Sequence, residues 1–169
     1  MSYDNPKHRP IKFNRYQEIH DSYLDSFLRE GFIADHTLIF SGSNFYRFSL
    51  KGEIACLGNI LITVDKTLEV LQDYRKNALV QTVMYNYNVS VRGYGNVFRY
   101  DNSHSRIGHP DNHHKHEFDW KLNDQDEGKV IWVGAEKWPT LGEVIEEARD
   151  WYWSNQSELP EGYPELSLY

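Results

Sequence analysis

The sequence predicts an α+β protein: an antiparallel meander sheet of about five to six strands, with an N-terminal and a C-terminal helix packed on one face. Three observations lead there. Apolar and polar residues alternate with period two through the middle of the chain. Glycine- and asparagine-rich turns separate those runs, so successive strands join directly. Apolar residues recur at helical spacing in two flanking segments. With 169 residues the chain fits one domain, spanning 1–169.

The elements follow in order. Residues 1–13 are polar, carry Pro6 and Pro10, and read as a loose arm. A helix is expected over 14–31, with Asn14 as cap and Gln17 three residues on. Its buried stripe is Tyr16, Ile19, Tyr23, Leu24, Phe27 and Leu28, and Gly31 ends it. From Tyr46 the even positions Tyr46, Phe48, Leu50, Ile54 and Cys56 face inward, with charged and hydroxyl residues between them. Gly58-Asn59 is a two-residue hairpin turn. The return strand buries Ile60, Ile62, Val64, Leu68 and Val70. After a loop at 72–77, a third strand buries Val83, Tyr85, Tyr87, Val89 and Val91, and a fourth runs from Asn96 to Asp101. Residues 102–112 form a loop, His113–Trp120 a fifth strand and Lys129–Val133 a sixth. Thr140 and Glu143 make a capping box for a last helix. Its stripe is Leu141, Val144, Ile145, Ala148, Trp151 and Tyr152, and Trp138, Trp151 and Trp153 pack around it. A polar tail spans 154–169.

Composition narrows the class. Twelve Tyr, eight Phe and five Trp exclude a disordered chain. The single cysteine, Cys56, makes no intrachain disulfide and fits a reducing compartment, so a cytoplasmic protein is expected. No apolar run approaches the ~20 residues of a membrane span. The net charge of −7 belongs to the C-terminal third; residues 92–121 are slightly basic and hold five of the eight histidines. That stretch can still meet a polyanion, because local field outweighs the total.

Chemistry-bearing residues concentrate between Phe98 and His116. In FRYDN, alternation turns Phe98 and Tyr100 inward, and Arg99 and Asp101 outward together. In HHKH, His114 and His116 share one side, His113 and Lys115 the other. Histidine titrates near neutrality and suits proton transfer. His plus Asp plus Arg or Lys is a set for metal-free RNA cleavage: one His as base, another as acid, and a cation for the phosphate charge. The alternative is a divalent transition metal on His109, His114 and His116. A histidine-rich loop without chemistry is the third reading.

Tyr85-x-Tyr87, FRYDN at 98–102, HHKH at 113–116 and a short C-terminal helix together resemble the TumE-type toxins of toxin–antitoxin modules. The resemblance covers roughly 45–152, is strongest at 97–116, and leaves the first helix and the tail as additions. It implies a toxin restrained by a cognate antitoxin, typically a helix-turn-helix protein. It carries over to Arg99, Tyr100, Asp101, Asn102, His113, His114, Lys115 and His116. The reading is then a ribonuclease-like toxin with His113, His114, His116 and Asp101 as catalytic residues, without a cofactor. Arg99, Lys115, Asn102 and Tyr100 would bind RNA. A module that only docks a partner through this surface remains open, as does a homodimer.

Overall fold

Nine strands and two helices follow one another in the computed structural model, which describes residues 5–44, 46–72, 78–105, 107–122 and 127–167. They are β1 (Ile11–Lys12), α1 (Phe13–Glu30), β2 (Ile33–His36), β3 (Ile39–Asn44), β4 (Arg47–Cys56), β5 (Ile60–Gln72), β6 (Leu79–Val91), β7 (Asn96–Asp101), β8 (His114–Glu117), β9 (Lys129–Trp132) and α2 (Leu141–Asn155). All strands join one open antiparallel sheet. β4 to β9 are a meander in sequence order, β2 and β3 both pair with β4, and β1 pairs with the far end of β6.

The α+β class and the meander stand, with nine strands where five to six were expected. The additional ones are short: two, four and six residues for β1, β2 and β3. Too short for a period to register, they owe their form to their neighbours' ladders. The segment expected to be a loose arm is fastened over its described part. Asn5 caps a 3₁₀ turn at Pro6–His8, its amide reaches Ala135, and Ile11 pairs with Val80. The loop expected at 72–77 lies almost wholly outside the described residues.

Period two assigns the two faces. Leu50, Ile54, Ile62, Val64, Tyr85, Tyr87, Val89 and Phe98 point to one face and are buried. α1 lays Leu24 and Phe27 into the same core, and α2 lays Leu141, Val144, Ile145, Ala148 and Tyr152. Each fully buried Leu, Ile or Val contributes roughly 1.5–3 kcal/mol. The capping box is present: Glu143 N–H donates to the Thr140 hydroxyl oxygen, and Thr140 N–H to the Glu143 carboxylate. α1 differs at its start. Its N-cap is Lys12, without a side-chain bond, because pairing in β1 sets the entry of the chain instead of Asn14. Tyr46 and Ile19, expected in buried rows, are exposed, as is Trp153, expected to pack around the last helix. Among the described residues no helix is long and apolar enough to cross a membrane.

Two stability predictions follow. Gly52 has φ +148, and a Cβ there would stand 2.6 Å from the Thr37 carbonyl oxygen and 2.8 Å from Leu38 Cα. Both obstacles are backbone, so Gly52→Ala is expected to cost about 1–3 kcal/mol, read as a lower urea midpoint. His20 is buried on the inner side of α1, bonded to Tyr23, its pKa pushed down to about 4 by burial, then by Lys66 and His36. Its folded pKa is below its unfolded value, so its stability is complete above about pH 6.5. It is lost as pH falls toward 4, at about 1.4 kcal/mol per pH unit. Urea midpoints at pH 7 and pH 5 are expected to differ accordingly, and His20→Phe to flatten the dependence.

Candidate active site on the open face

The face of the sheet opposite the helices carries a polar block. Asp101 pairs across the ladder with His114, and Arg99 with His116. All four side chains point to that face, as alternation requires. One strand inward, Asn86 and Asn88 continue the two rows; one strand outward, Trp132 and Val130 do.

Asp101 anchors the block. Its Oδ1 accepts from the Ser103 N–H at 3.1 Å and the Ser103 hydroxyl at 2.8 Å. Its Oδ2 meets Arg99 Nε and His116 Nε2, each at 3.1 Å. Asp101 is only 3% exposed. Burial opposes its ionisation, yet the two Ser103 bonds, His116 and Arg99 together hold its carboxyl below the usual carboxylate range. With both oxygens engaged, Asp101 orients its neighbours and takes no proton itself. His116 lies between two acceptors, because its Nδ1 faces the Glu127 carbonyl at 2.8 Å. Only the doubly protonated ring donates to both. The Arg99 terminal nitrogens meet no partner among the described residues, and the guanidinium rests over the Phe118 ring.

A second unit adjoins it. His114 Nδ1 stands 2.7 Å from the Asn112 carbonyl, which only accepts, so Nδ1 carries the proton. In the neutral ring Nε2 is then an acceptor. His109 Nδ1 lies 2.8 Å from it and donates. The chain of protons leaves the lone pair of His109 on Nε2, in a half-buried ring. Beside it the Trp132 ring, 6.4 Å from His109 and 44% exposed, forms an aromatic surface.

The loop that delivers His109 is clamped by Asp111. One carboxylate oxygen accepts from the His113 N–H and the Trp132 indole N–H, the other from the Ala135 N–H. Against the cost of burial, the His113 and Ala135 N–H groups and the Trp132 indole hold its carboxyl below the ordinary range. Asp111 and Trp132 went unnoticed in the sequence. The signal for Asp111 is an aspartate at the end of a loop, a residue whose side chain often bonds the N–H two residues on, here that of His113.

The other expected residues lie elsewhere. Tyr100 and Lys115 point to the helix face, where the Tyr100 hydroxyl donates to Glu147 at 2.8 Å and Lys115 Nζ meets the same carboxylate at 2.5 Å. They fasten α2 to β7 and β8. His113 is on that face too, bonded to the Tyr85 hydroxyl at 2.9 Å and stacked on Trp138. Burial holds its pKa below the ordinary value, against the pull of Asp111. Asn102 has a backbone task. The register of β5 and β6 slips by one residue at Val83, and the Asn102 amide donates to Val83 O and accepts from Tyr85 N–H. Asn102→Ala is expected to cost about 1–3 kcal/mol by leaving those groups unpaired, measurable by thermal unfolding.

His109 and His114 meet as the metal alternative requires, but His116 turns to Asp101 and Glu127 instead. Among the described residues no group of three His, Cys, Asp or Glu could hold a metal ion. Comparison with protein-family models, curated proteins and solved structures finds no match.

Proposed function

We propose that this chain is a toxin-type ribonuclease whose chemistry sits on the open face, with His109 as general base. The observation that carries the reading is the His109–His114 hydrogen bond. It leaves the lone pair of His109 on Nε2, with His114 linking that ring to Asp101 across the ladder. A base at the end of a hydrogen-bonded pair gains strength as it takes a proton, because the bond to His114 becomes charge-assisted. His109 would take the proton of a ribose 2′-hydroxyl. The 2′-oxygen then bonds to phosphorus, the bond to the 5′-oxygen breaks, and the leaving oxygen takes a proton from water. Arg99 would hold the phosphate and offset the charge that builds on it. Trp132 offers a face for a base to stack on, worth about 1–3 kcal/mol per base in single-strand binding. His114 and Asp101 act as positioning residues. His116 acts by fixing Asp101 and Arg99. A cognate antitoxin would then act by covering this face, and the resemblance points to a helix-turn-helix partner.

The test is purified full-length protein with RNA in the presence of a chelator. Cleavage that persists there and is lost in Arg99→Ala supports the reading; intact RNA with and without divalent metal overturns it.

One observation favours a second reading. Asp101, His114 and His116 are all at least nine-tenths buried. Such a network also suits a framework that holds the loop residues 107–112 in shape to dock a partner, such as an antitoxin, without chemistry. In that case the protein binds its partner, loses it in Arg99→Ala, and leaves RNA intact.

A further inference from the structure

A second place in the molecule has the features of a ligand site, on the helix face and apart from the histidine block. A cavity of ≈ 310 Å³ opens between the N-terminal segment, α1 and strands β5 and β6. Ile11, Ile19, Val80 and Leu141 make much of its wall. Lys66 reaches into it from β5 and is only 5% exposed. On the ladder Lys66 stands opposite Tyr85, at the end of the apolar row Ile60, Ile62, Val64. A strand that alternates for burial would place an aliphatic residue there.

Among the described residues no acidic side chain lines the cavity. Lys66 Nζ is hydrogen-bonded to the Tyr16 hydroxyl and lies over the Tyr16 ring, and among the described residues it has no carboxylate partner. The histidines of the wall, His8 and His20, are neutral at pH 7, their pKa values pushed down to about 4 by burial. Lys7, at the rim, is answered by Glu143 at 2.9 Å. A buried cation is costly unless it is paired, and here the described lining offers hydroxyls and rings but no counter-charge. Burial opposes the charge on Lys66, and the Tyr87 and Tyr16 hydroxyls beside it work against that push. An anion entering the cavity would supply the missing counter-charge and favour the ammonium form. Arg9 and Lys7 also border the cavity but are exposed, so Lys66 is its buried charge; an apolar wall with a few convergent polar groups is the usual make-up of a small-molecule site.

We propose that this cavity binds a small organic anion, with its carboxylate or phosphate on Lys66 and Tyr16 and its apolar body against Ile19, Val80 and Leu141. The Tyr16 hydroxyl is free to donate to an anion while its oxygen still accepts from Lys66. The site stands independently of the RNA reading, because Lys66 and the histidine block lie on opposite faces of the sheet.

The test uses the full chain with benzoate and phenyl phosphate as probes and benzyl alcohol as the neutral control. Binding is followed by calorimetry and by NMR shifts of backbone amides. The expected result is saturable binding of at least one anion, shifts centred on Tyr16, His20, Lys66 and Gln81, and at least tenfold weaker affinity for benzyl alcohol. Lys66→Met should weaken the anion at least tenfold while RNA cleavage is unchanged. No saturable binding of either anion overturns the proposal. So does equal affinity for benzyl alcohol, or shifts centred elsewhere. Should Lys66→Met fail to fold, the neutral control and the location of the shifts in the unaltered chain decide by themselves.

Discussion

His109→Ala is expected to lower RNA cleavage by about 100- to 10,000-fold, the usual contribution of a positioned general base. The fold should be intact, since His109 sits on a loop, where it bonds to His114 and lies near the Trp132 ring. His114→Ala should reduce cleavage too, by removing the acceptor that holds His109 Nδ1–H and so the tautomer that leaves Nε2 bare. The two effects should not add, because both act through one base. A double variant no worse than His109→Ala is the expected pattern in single-turnover assays. Additive losses would mean that His114 acts on the substrate in its own right.

Asp101→Ala is expected to be the most damaging change for stability on the open face. It strips His116 and Arg99 of their shared acceptor and frees Ser103, which the carboxylate holds by two bonds. Breaking a fully buried pair costs about 3–5 kcal/mol. Arg99 keeps partial contact with solvent, so about 2–3 kcal/mol is the expected loss here. Chemical unfolding of the variant at pH 7 measures it. The pH dependence has a definite sign. The folded pKa of Asp101 lies below its unfolded value. Its contribution is therefore present above about pH 4 and is lost as pH falls further. Asp101→Ala should be less acid-sensitive than the parent in that range.

Much of the fold was legible because its signals are local. The capping box at Thr140, the turn at Gly58-Asn59 and the alternation of β5 and β6 each lie within a few residues. β1, β2 and β3 were not legible. Two to six residues carry no readable period, and their form comes from edges supplied by β6 and β4. The N-terminal segment likewise takes its order from remote partners, Ala135 and Trp138 among them.

The candidate site divides in the same way. Alternation places Arg99 with Asp101 and His114 with His116, and the ladder puts both pairs on one face. The same rule separates Tyr100 from the first pair and His113 and Lys115 from the second; that these three share the helix face follows once β7 and β8 are known to pair. His109 sits in a loop with no period, so its contact with His114 depends on the Asp111 clamp and could not be read from spacing. Lys66 broke the pattern of β5 in plain view, and such a break inside an apolar row marks a place where function outweighs packing.

The most direct measurement concerns the ribose. The purified chain is given an oligoribonucleotide in chelator, and in parallel the same oligonucleotide with every 2′-hydroxyl replaced by hydrogen. A base acting on the 2′-hydroxyl predicts cleavage of the first to 2′,3′-cyclic phosphate ends and no cleavage of the second, with the activity gone in His109→Ala. Equal cleavage of both, or undiminished cleavage by His109→Ala, would contradict the assignment of the open face as the catalytic centre.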